Sequence, residues 1–161
     1  MSRIGKMFIV LAVFAFLAGC GPSLRLTPIP KEGEMQYVET REIVKSPDKG
    51  TVCFLFDTFA GNLAGWYVYD NGKVVGASYE NAYQCILTSP GLHTFWGDCD
   101  KHNYATFNVD AGKIHYVIGK EVRENNAVVV NVNGANLYQV SEEVATPIMA
   151  KQKQCVFKGR K

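Results

Sequence analysis

Five cysteines and three histidines carry most of the reactive chemistry available to this chain of 161 residues. A zinc site needs several closely spaced Cys or His ligands, and no Cys-x₂-Cys or His-x₃-His spacing is present. The segment around Cys99 holds Asp98, Asp100 and His102, whereas His93 and His115 fall on separate predicted strands. A metal-dependent hydrolase would need one of these histidines to meet a carboxylate in a cleft, so this signal is weak.

Other catalytic and binding motifs are missing from the sequence. It contains no Gly-x-Ser-x-Gly nucleophile elbow, and its Gly61–Gly65 stretch is a connector that does not match a phosphate-binding loop. The formal net charge is +2, which is too small for a surface that must neutralise many nucleic-acid phosphates. We therefore predict a protein that is not an enzyme, holds no metal or catalytic cofactor and does not bind nucleic acid.

The first residues have the organisation of a secretory signal peptide. Arg3 and Lys6 precede an uncharged apolar run from Met7 to Leu17, which is the order of charge and hydrophobicity in such leaders. As a helix this run would rise only about 16 Å, roughly half of the hydrocarbon thickness of a bilayer. It is too short to remain as a spanning anchor.

The end of the leader, Leu17-Ala18-Gly19-Cys20, resembles the lipobox of bacterial lipoproteins at all four positions. The resemblance implies cleavage before Cys20, a diacylglycerol on its sulfur and usually an acyl chain on its new amino group. Several acyl chains hold a small domain durably on a bilayer. Loss of residues 1–19 removes Arg3 and Lys6 and no acid, so the mature net charge is zero. Gly21 in place of Asp favours, by the same resemblance, the periplasmic face of the outer membrane over the inner membrane.

Four cysteines remain after lipidation: Cys53, Cys85, Cys99 and Cys155. An even number in an oxidising compartment favours two disulfides, for which three pairings exist. If Pro90-Gly91 centres a hairpin, Cys85 faces Trp96 and Cys99 lies three positions beyond, where a twist or bulge would bring it to Cys85. We therefore predict Cys85–Cys99 and Cys53–Cys155, with free buried thiols as the alternative.

Residues 20–49 are rich in proline and charge and are predicted to be a tether, in which Met35–Val44 has the pattern of an edge strand or a short helix. From residue 50 to residue 155, short apolar runs alternate with turn residues. Asp70-Asn71-Gly72 predicts a tight hairpin, and Ser89-Pro90-Gly91 predicts a second turn. So many short strands indicate two packed antiparallel sheets, a small all-β sandwich. A short helix is predicted to follow Ser141, and residues 156–161 form a basic tail.

Three stretches also suggest a family: Tyr67–Gly76 with its Asp-Asn-Gly-Lys turn, Ser89–Thr94 with Pro-Gly-Leu-His-Thr, and Asp110–Val117 with Ala-Gly-Lys-Ile-His-Tyr. In this order they resemble the small bacterial lipoproteins classified as domain of unknown function twenty-eight forty-six, and more distantly the PEGA-type sandwich repeats. The resemblance spans roughly residues 50–154 and implies a sandwich fold without assigning catalytic residues.

Aromatic side chains provide the remaining clue to function. Strand alternation places about half of them outward, and the candidates for an exposed binding surface are Trp66, Tyr79, Tyr83 and Trp96. Packing of residues 21–49 over these rings is the alternative. We expect a lipid-anchored envelope protein whose non-catalytic sandwich binds another envelope component. A small-ligand or glycan binder that uses exposed aromatics is the second hypothesis, and a metal-dependent hydrolase is the third.

Overall fold

The structure is a computed structural model that describes residues 33–57, 66–79, 81–97, 104–126 and 129–159. The side chains of residue 57 and of residues 121–135 are outside this description. The strands are β1 (Met35–Tyr37), β2 (Gly50–Asp57), β3 (Tyr67–Asp70), β4 (Lys73–Ala77), β5 (Ala82–Thr88), β6 (Gly91–Gly97), β7 (Tyr104–Val109), β8 (Ile114–Asn126), β9 (Val129–Val140) and β10 (Lys153–Phe157). One helix, α1, spans Glu142–Met149.

The strands form two sheets. The larger sheet has the order β1-β10-β5-β2-β8-β9, and the smaller sheet has the order β4-β3-β6-β7. Most pairs are antiparallel, but β10 pairs with β5 and β2 pairs with β8 in parallel. This arrangement confirms the predicted all-β, two-sheet sandwich with one short helix, but the larger sheet is mixed and not purely antiparallel as predicted.

The core between the sheets comes from strict alternation along the strands. The inward residues of β2 are Val52, Phe54 and Phe56, and they meet Trp66, Val68 and Phe95 from the smaller sheet. Phe54 contacts Phe95 and Phe56 contacts Trp66, both edge to face, with ring centroids 5.3 and 5.4 Å apart. Such edge-to-face contacts add to the stabilisation from burying the rings.

The outer face of the larger sheet is covered by α1. Cys53, Leu55, Tyr116 and Ile118 point to this face and pack around Ala145, which is completely buried. The helix contains Pro147, whose missing N–H removes one intrahelical hydrogen bond. The Thr146 hydroxyl donates to the carbonyl of Glu142, one turn before it in the helix, at 2.8 Å. Through Ala145 the helix covers the hydrophobic outer face of β2 and β8.

The two predicted turns have different outcomes. Asn71 and Gly72 both adopt positive φ, 45° and 92°, and they join β3 to β4 as the predicted hairpin. Ser89-Pro90-Gly91 also changes the chain direction, but β5 and β6 do not pair: β5 lies between β10 and β2, and β6 lies between β3 and β7. The predicted turn at Ser89-Pro90-Gly91 is confirmed, but the hairpin supposed there does not form, because this turn carries the chain from one sheet to the other.

The stretch predicted as a tether contributes a strand to the fold. β1 pairs with β10 in antiparallel register, Met35 opposite Phe157 and Tyr37 opposite Cys155. Met35 is buried, and the Tyr67 hydroxyl donates to Glu34 Oε2 at 2.6 Å in a buried contact. The edge-strand interpretation of Met35–Val44 is confirmed for Met35–Tyr37. β10 includes Phe157, so strand structure extends into the predicted basic tail.

Candidate functional site

An aromatic row crosses the outward face of the smaller sheet. In the strand register Tyr69 on β3 lies opposite Trp96 on β6, and Trp96 lies opposite Tyr104 on β7. Their neighbours Phe95 and Ala105 point into the core, so alternation directs the row outward. We call Tyr69, Trp96 and Tyr104 the aromatic row.

The rings of the aromatic row contact one another directly. Tyr69 and Trp96 are stacked with centroids 5.5 Å apart and planes only 6° apart, and Trp96 meets Tyr104 edge to face at 6.2 Å. One face of the indole is therefore occupied by Tyr69 and is not open for a sugar ring. Tyr104 is 50% exposed and remains accessible at the end of the row. The three rings therefore lie in series across three neighbouring strands.

Polar and aliphatic side chains flank the aromatic row on the same face. The hydroxyls of Thr94 and Thr106 lie 3.1 Å apart on β6 and β7. Leu92 is 65% exposed although it is aliphatic. Of these residue types, tyrosine and tryptophan are the ones enriched where proteins bind one another.

Two of the four predicted surface aromatics are wrong. Trp66 and Tyr83 are only 1% and 2% exposed, because Trp66 points into the core between the sheets and Tyr83 points under α1. Tyr79 is half-buried and meets Tyr37 edge to face at 4.8 Å, so part of the predicted tether does pack on an outward ring. Trp96 is partly exposed in the aromatic row.

The structure also corrects the disulfide pairing. Cys53 and Cys85 lie directly opposite each other on β2 and β5 and are joined by a disulfide. The predicted pairs Cys85–Cys99 and Cys53–Cys155 are therefore wrong, since β5 pairs with β2 and not with β6. Cys155 is a free, buried cysteine whose burial raises its pKa to about 12. Cys99 lies outside the described residues.

His93 is buried and held at both ring nitrogens. Its Nδ1 lies 2.8 and 2.9 Å from the two carboxylate oxygens of Asp70, and its Nε2 lies 2.9 Å from the Ser89 carbonyl oxygen. The Thr88 hydroxyl also donates to the Asp70 carboxylate, at 3.4 Å. Both ring nitrogens are therefore engaged by groups of the fold itself. The pair ties the β3–β4 turn to the turn between the sheets.

His115 has a different environment. Its Nε2 accepts a hydrogen bond from the Asp110 backbone N–H at 3.1 Å. Burial lowers the pKa of its imidazole, partly opposed by the Asp110 carboxylate. Phe95 and Phe107 lie in series between the two imidazoles, with neighbouring rings 5.4 to 5.7 Å apart. His93 and His115 therefore do not converge. His102, Asp98 and Asp100 lie outside the described residues.

The described part of the chain contains no group of three or more His, Cys, Asp or Glu side chains placed to hold a metal ion. In the same residues no helix is both long enough and apolar enough to cross a membrane.

Two of these features were not predicted from the sequence. Tyr69 and Tyr104 join Trp96 only through the strand register, which depends on β3 pairing with β6. The sequence does place Asp70 and His93 close to turns, since each lies within two positions of turn residues, Asn71-Gly72 and Pro90-Gly91. Comparison with known proteins adds no relative: no family model, no curated protein and no solved structure matches the chain.

Proposed function

We propose that this chain is a lipid-anchored protein of the bacterial cell envelope whose β-sandwich binds another envelope protein through the outward face of its smaller sheet. The anchor is the acylated Cys20 that the Leu17–Cys20 lipobox implies. Membership of the lipoprotein family named above is part of the same proposal.

The aromatic row is the observation that carries the interaction half of the proposal. Tyrosine and tryptophan supply large contact areas at a small cost in side-chain entropy, and here they share the outward face of the smaller sheet with the exposed Leu92, four residues before Trp96 on β6. Interfaces between proteins commonly carry such residues near their centre. Binding of a glycan is supported less well, because Tyr69 already stacks on one face of the Trp96 indole.

A non-catalytic role is supported by what the histidines do. Both ring nitrogens of His93 are hydrogen-bonded within the fold, to Asp70 and to the Ser89 carbonyl. Nε2 of His115 accepts a hydrogen bond from a backbone N–H. These hydrogen bonds join turns and strands. A metal-dependent hydrolase would need such groups to point together into a cleft.

The anchor is tested by labelling cells with radioactive palmitate. The natural chain is expected to incorporate label and to fractionate with membranes, and Cys20→Ser is expected to lose both properties. Equal labelling or equal membrane recovery of the two chains would contradict the anchor.

The interaction surface is tested by photo-cross-linking in intact cells. A benzophenone amino acid replaces Tyr104 in one chain and Tyr138 in a control chain, since these tyrosines are 50% and 48% exposed on different sheets. We expect a discrete higher-mass adduct from position 104 only, and its loss when Leu92→Ser is added. The same adducts from both positions, or none, would refute the assignment of this face.

A further inference from the structure

Among the described strands, the outermost ones are β1 and β9 in the larger sheet and β4 and β7 in the smaller sheet. An edge strand presents unpaired backbone N–H and C=O groups, and proteins usually protect such edges from pairing with other chains. β1 is protected by its length, since it has only three residues. β9 is interrupted, because its register with β8 shifts between Val122 and Arg123, and a bulge of this kind bends an edge strand away from pairing.

The edge of β4 is closed by a side chain from the other sheet. Gln84 on β5 is buried, and its Nε2 donates to the Val75 carbonyl at 3.0 Å while its Oε1 accepts from the Ala77 N–H at 3.4 Å. The absence of a Cβ at Gly76 makes room for this contact, since a Cβ there would lie 2.5 Å from Gln84 Oε1. Backbone groups on the outer edge of β4 are therefore already hydrogen-bonded.

The edge of β7 is regular and lacks these protections. Tyr104–Val109 pairs with β6 through six consecutive positions without a shift, and the strand contains neither a charged residue nor a proline. β9 approaches β7, but the sheets of the described residues contain no ladder between these two strands. β7 is therefore the edge of this sandwich that is best prepared to accept another strand.

Hydrogen bonds in the neighbouring strands show which groups of β7 face this edge. The Asn71 N–H donates to the Thr94 carbonyl at 3.0 Å, so the backbone of Thr94 faces β3 and that of Phe95 faces β7. Phe95 is the register partner of Ala105, whose backbone groups therefore face β6. Alternation in an antiparallel pair then directs the backbone groups of three residues to the open edge: Tyr104, Thr106 and Asn108. The side chains of these three residues are exposed.

We propose that the partner protein binds by adding an extended segment of its own chain to β7, as a fifth strand of the smaller sheet. This inference rests on the proposed function, because Tyr104 belongs both to the aromatic row and to the open edge. In strand addition the backbone hydrogen bonds supply affinity, and the alternate side chains supply specificity.

The surroundings of β7 define the chemistry of the segment that would fit. On the outward face its side chains would lie beside Tyr104 and Thr106, where aromatic and β-branched residues make favourable cross-strand pairs. On the other face they would meet Phe107, which packs on the core but is still partly exposed. The recognised segment is therefore an extended one that alternates aromatic or β-branched residues with apolar ones.

The openness of the edge is tested on the full mature chain carrying Cys20→Ser, without any partner. Amide hydrogen exchange is followed by nuclear magnetic resonance. The N–H groups of Tyr104, Thr106 and Asn108 should exchange at least about tenfold faster than those of Ala105 and Phe107, because only the latter two are bonded to β6. Equal protection of all five would show that the edge is already covered and would overturn the proposal.

Strand addition itself is tested by Thr106→Pro in the photo-cross-linking chain that carries benzophenone at position 104. This change removes a backbone N–H at the open edge, where a strand tolerates proline. Thr106→Val is the matched control, since it also loses the hydroxyl contact with Thr94 but keeps the N–H. We expect the adduct to fall about tenfold with Thr106→Pro, as loss of a hydrogen bond at an interface implies, and to remain with Thr106→Val.

The outcomes separate this inference from the proposed function. No adduct from position 104 in the parent would contradict the interaction surface and the added strand together. An adduct that survives Thr106→Pro, or that is lost equally in both variants, would leave the surface in place and overturn strand addition. An adduct of twice the mass of the chain would identify a second copy as the occupant and overturn a separate partner.

Folding of the variants is checked by far-ultraviolet circular dichroism. Asn108→Pro removes another outward N–H of the same edge, and it takes the place of Thr106→Pro if that variant does not fold. The adduct should fall with Asn108→Pro as well, and its persistence there would equally overturn strand addition.

Discussion

At the scale of single residues, the buried Asp70–His93 contact joins the β3–β4 turn to the turn between the two sheets. The carboxylate accepts from His93 and from the Thr88 hydroxyl, so it joins β3, β5 and β6. Loss of one partner in a buried charged hydrogen bond leaves the other partner without compensation. This contact gives the turn between the sheets a fixed position that its sequence alone does not impose.

We expect Asp70→Asn to lower the free energy of unfolding by about 2–3 kcal/mol, since the amide cannot accept from His93 as the carboxylate does. Urea unfolding followed by tryptophan fluorescence measures the change. Asp110→Asn is the matched control, because its ion pair with Lys113 is exposed at the surface and should contribute less than about 1 kcal/mol. Equal losses in the two variants would show that the Asp70 contact is no stronger than an exposed pair.

His115 predicts a pH dependence of stability. Burial lowers the pKa of its imidazole below the ordinary value of 6.5, so between these values the unfolded chain binds a proton that the folded protein does not. Its contribution to stability is therefore complete above about pH 6.5 and declines as the pH falls toward the folded-state pKa. Unfolding free energies at neutral and mildly acidic pH should fall less in His115→Gln than in the parent. An unchanged difference between the two pH values would contradict this origin.

At the scale of elements, the disulfide decides how β2 and β5 are held. Cys53 and Cys85 are register partners at the middle of these strands, under the face that α1 covers. The bridge closes a loop with a sequence separation of 32. It therefore reinforces strands whose pairing is non-local in the chain.

The bridge is predicted to contribute about 3–4 kcal/mol in the chain-entropy model. Cys53→Ala/Cys85→Ala should lose about this much in urea unfolding, and Cys155→Ala, which removes a buried thiol without a bridge, should lose less. Mass spectrometry of non-reduced peptides should find the Cys53–Cys85 linkage. Detection of a Cys85–Cys99 linkage instead would contradict the pairing of Cys53 with Cys85 across β2 and β5.

At the scale of the whole molecule, the fold begins before the residues that were predicted to open it. β1 supplies Met35 to the packing around Tyr67 and Cys155, and Glu34 accepts from the Tyr67 hydroxyl. The proposed lipid anchor is therefore joined to a strand of the larger sheet. This connection fixes which end of the sandwich follows the tether.

A chain that begins at Val38 is expected to be less stable than one that begins at Gly33. Exposure of the Met35 site and loss of the Glu34 contact should lower the unfolding free energy by about 2–4 kcal/mol. Thermal unfolding of the two chains makes the comparison, and the mature chain from Cys20 should match the chain from Gly33. Equal stability of all three would mean that β1 does not contribute to folding.

Local sequence was sufficient for the features that depend on neighbouring residues. The lipobox, the alternation of apolar residues and the Asn71-Gly72 turn all lie within a few positions, and the last two specify strands and a tight hairpin before any distant contact forms. The all-β fold class follows from the same alternation of apolar residues. The prediction of Cys20 as the anchor also depends only on adjacent residues and is tested by labelling.

Tertiary packing decided everything that depends on which strands become neighbours. The turn at Pro90-Gly91 reads like a hairpin, yet β5 and β6 enter different sheets, and this one difference changes the disulfide partner of Cys85. Trp66 and Trp96 each have one glycine and one aromatic residue as sequence neighbours. Trp66 nevertheless fills the core, whereas Trp96 lies in the aromatic row. The reason is physical: turn geometry is set by short-range backbone sterics, whereas strand partnership is chosen by how the whole set of apolar faces is buried together.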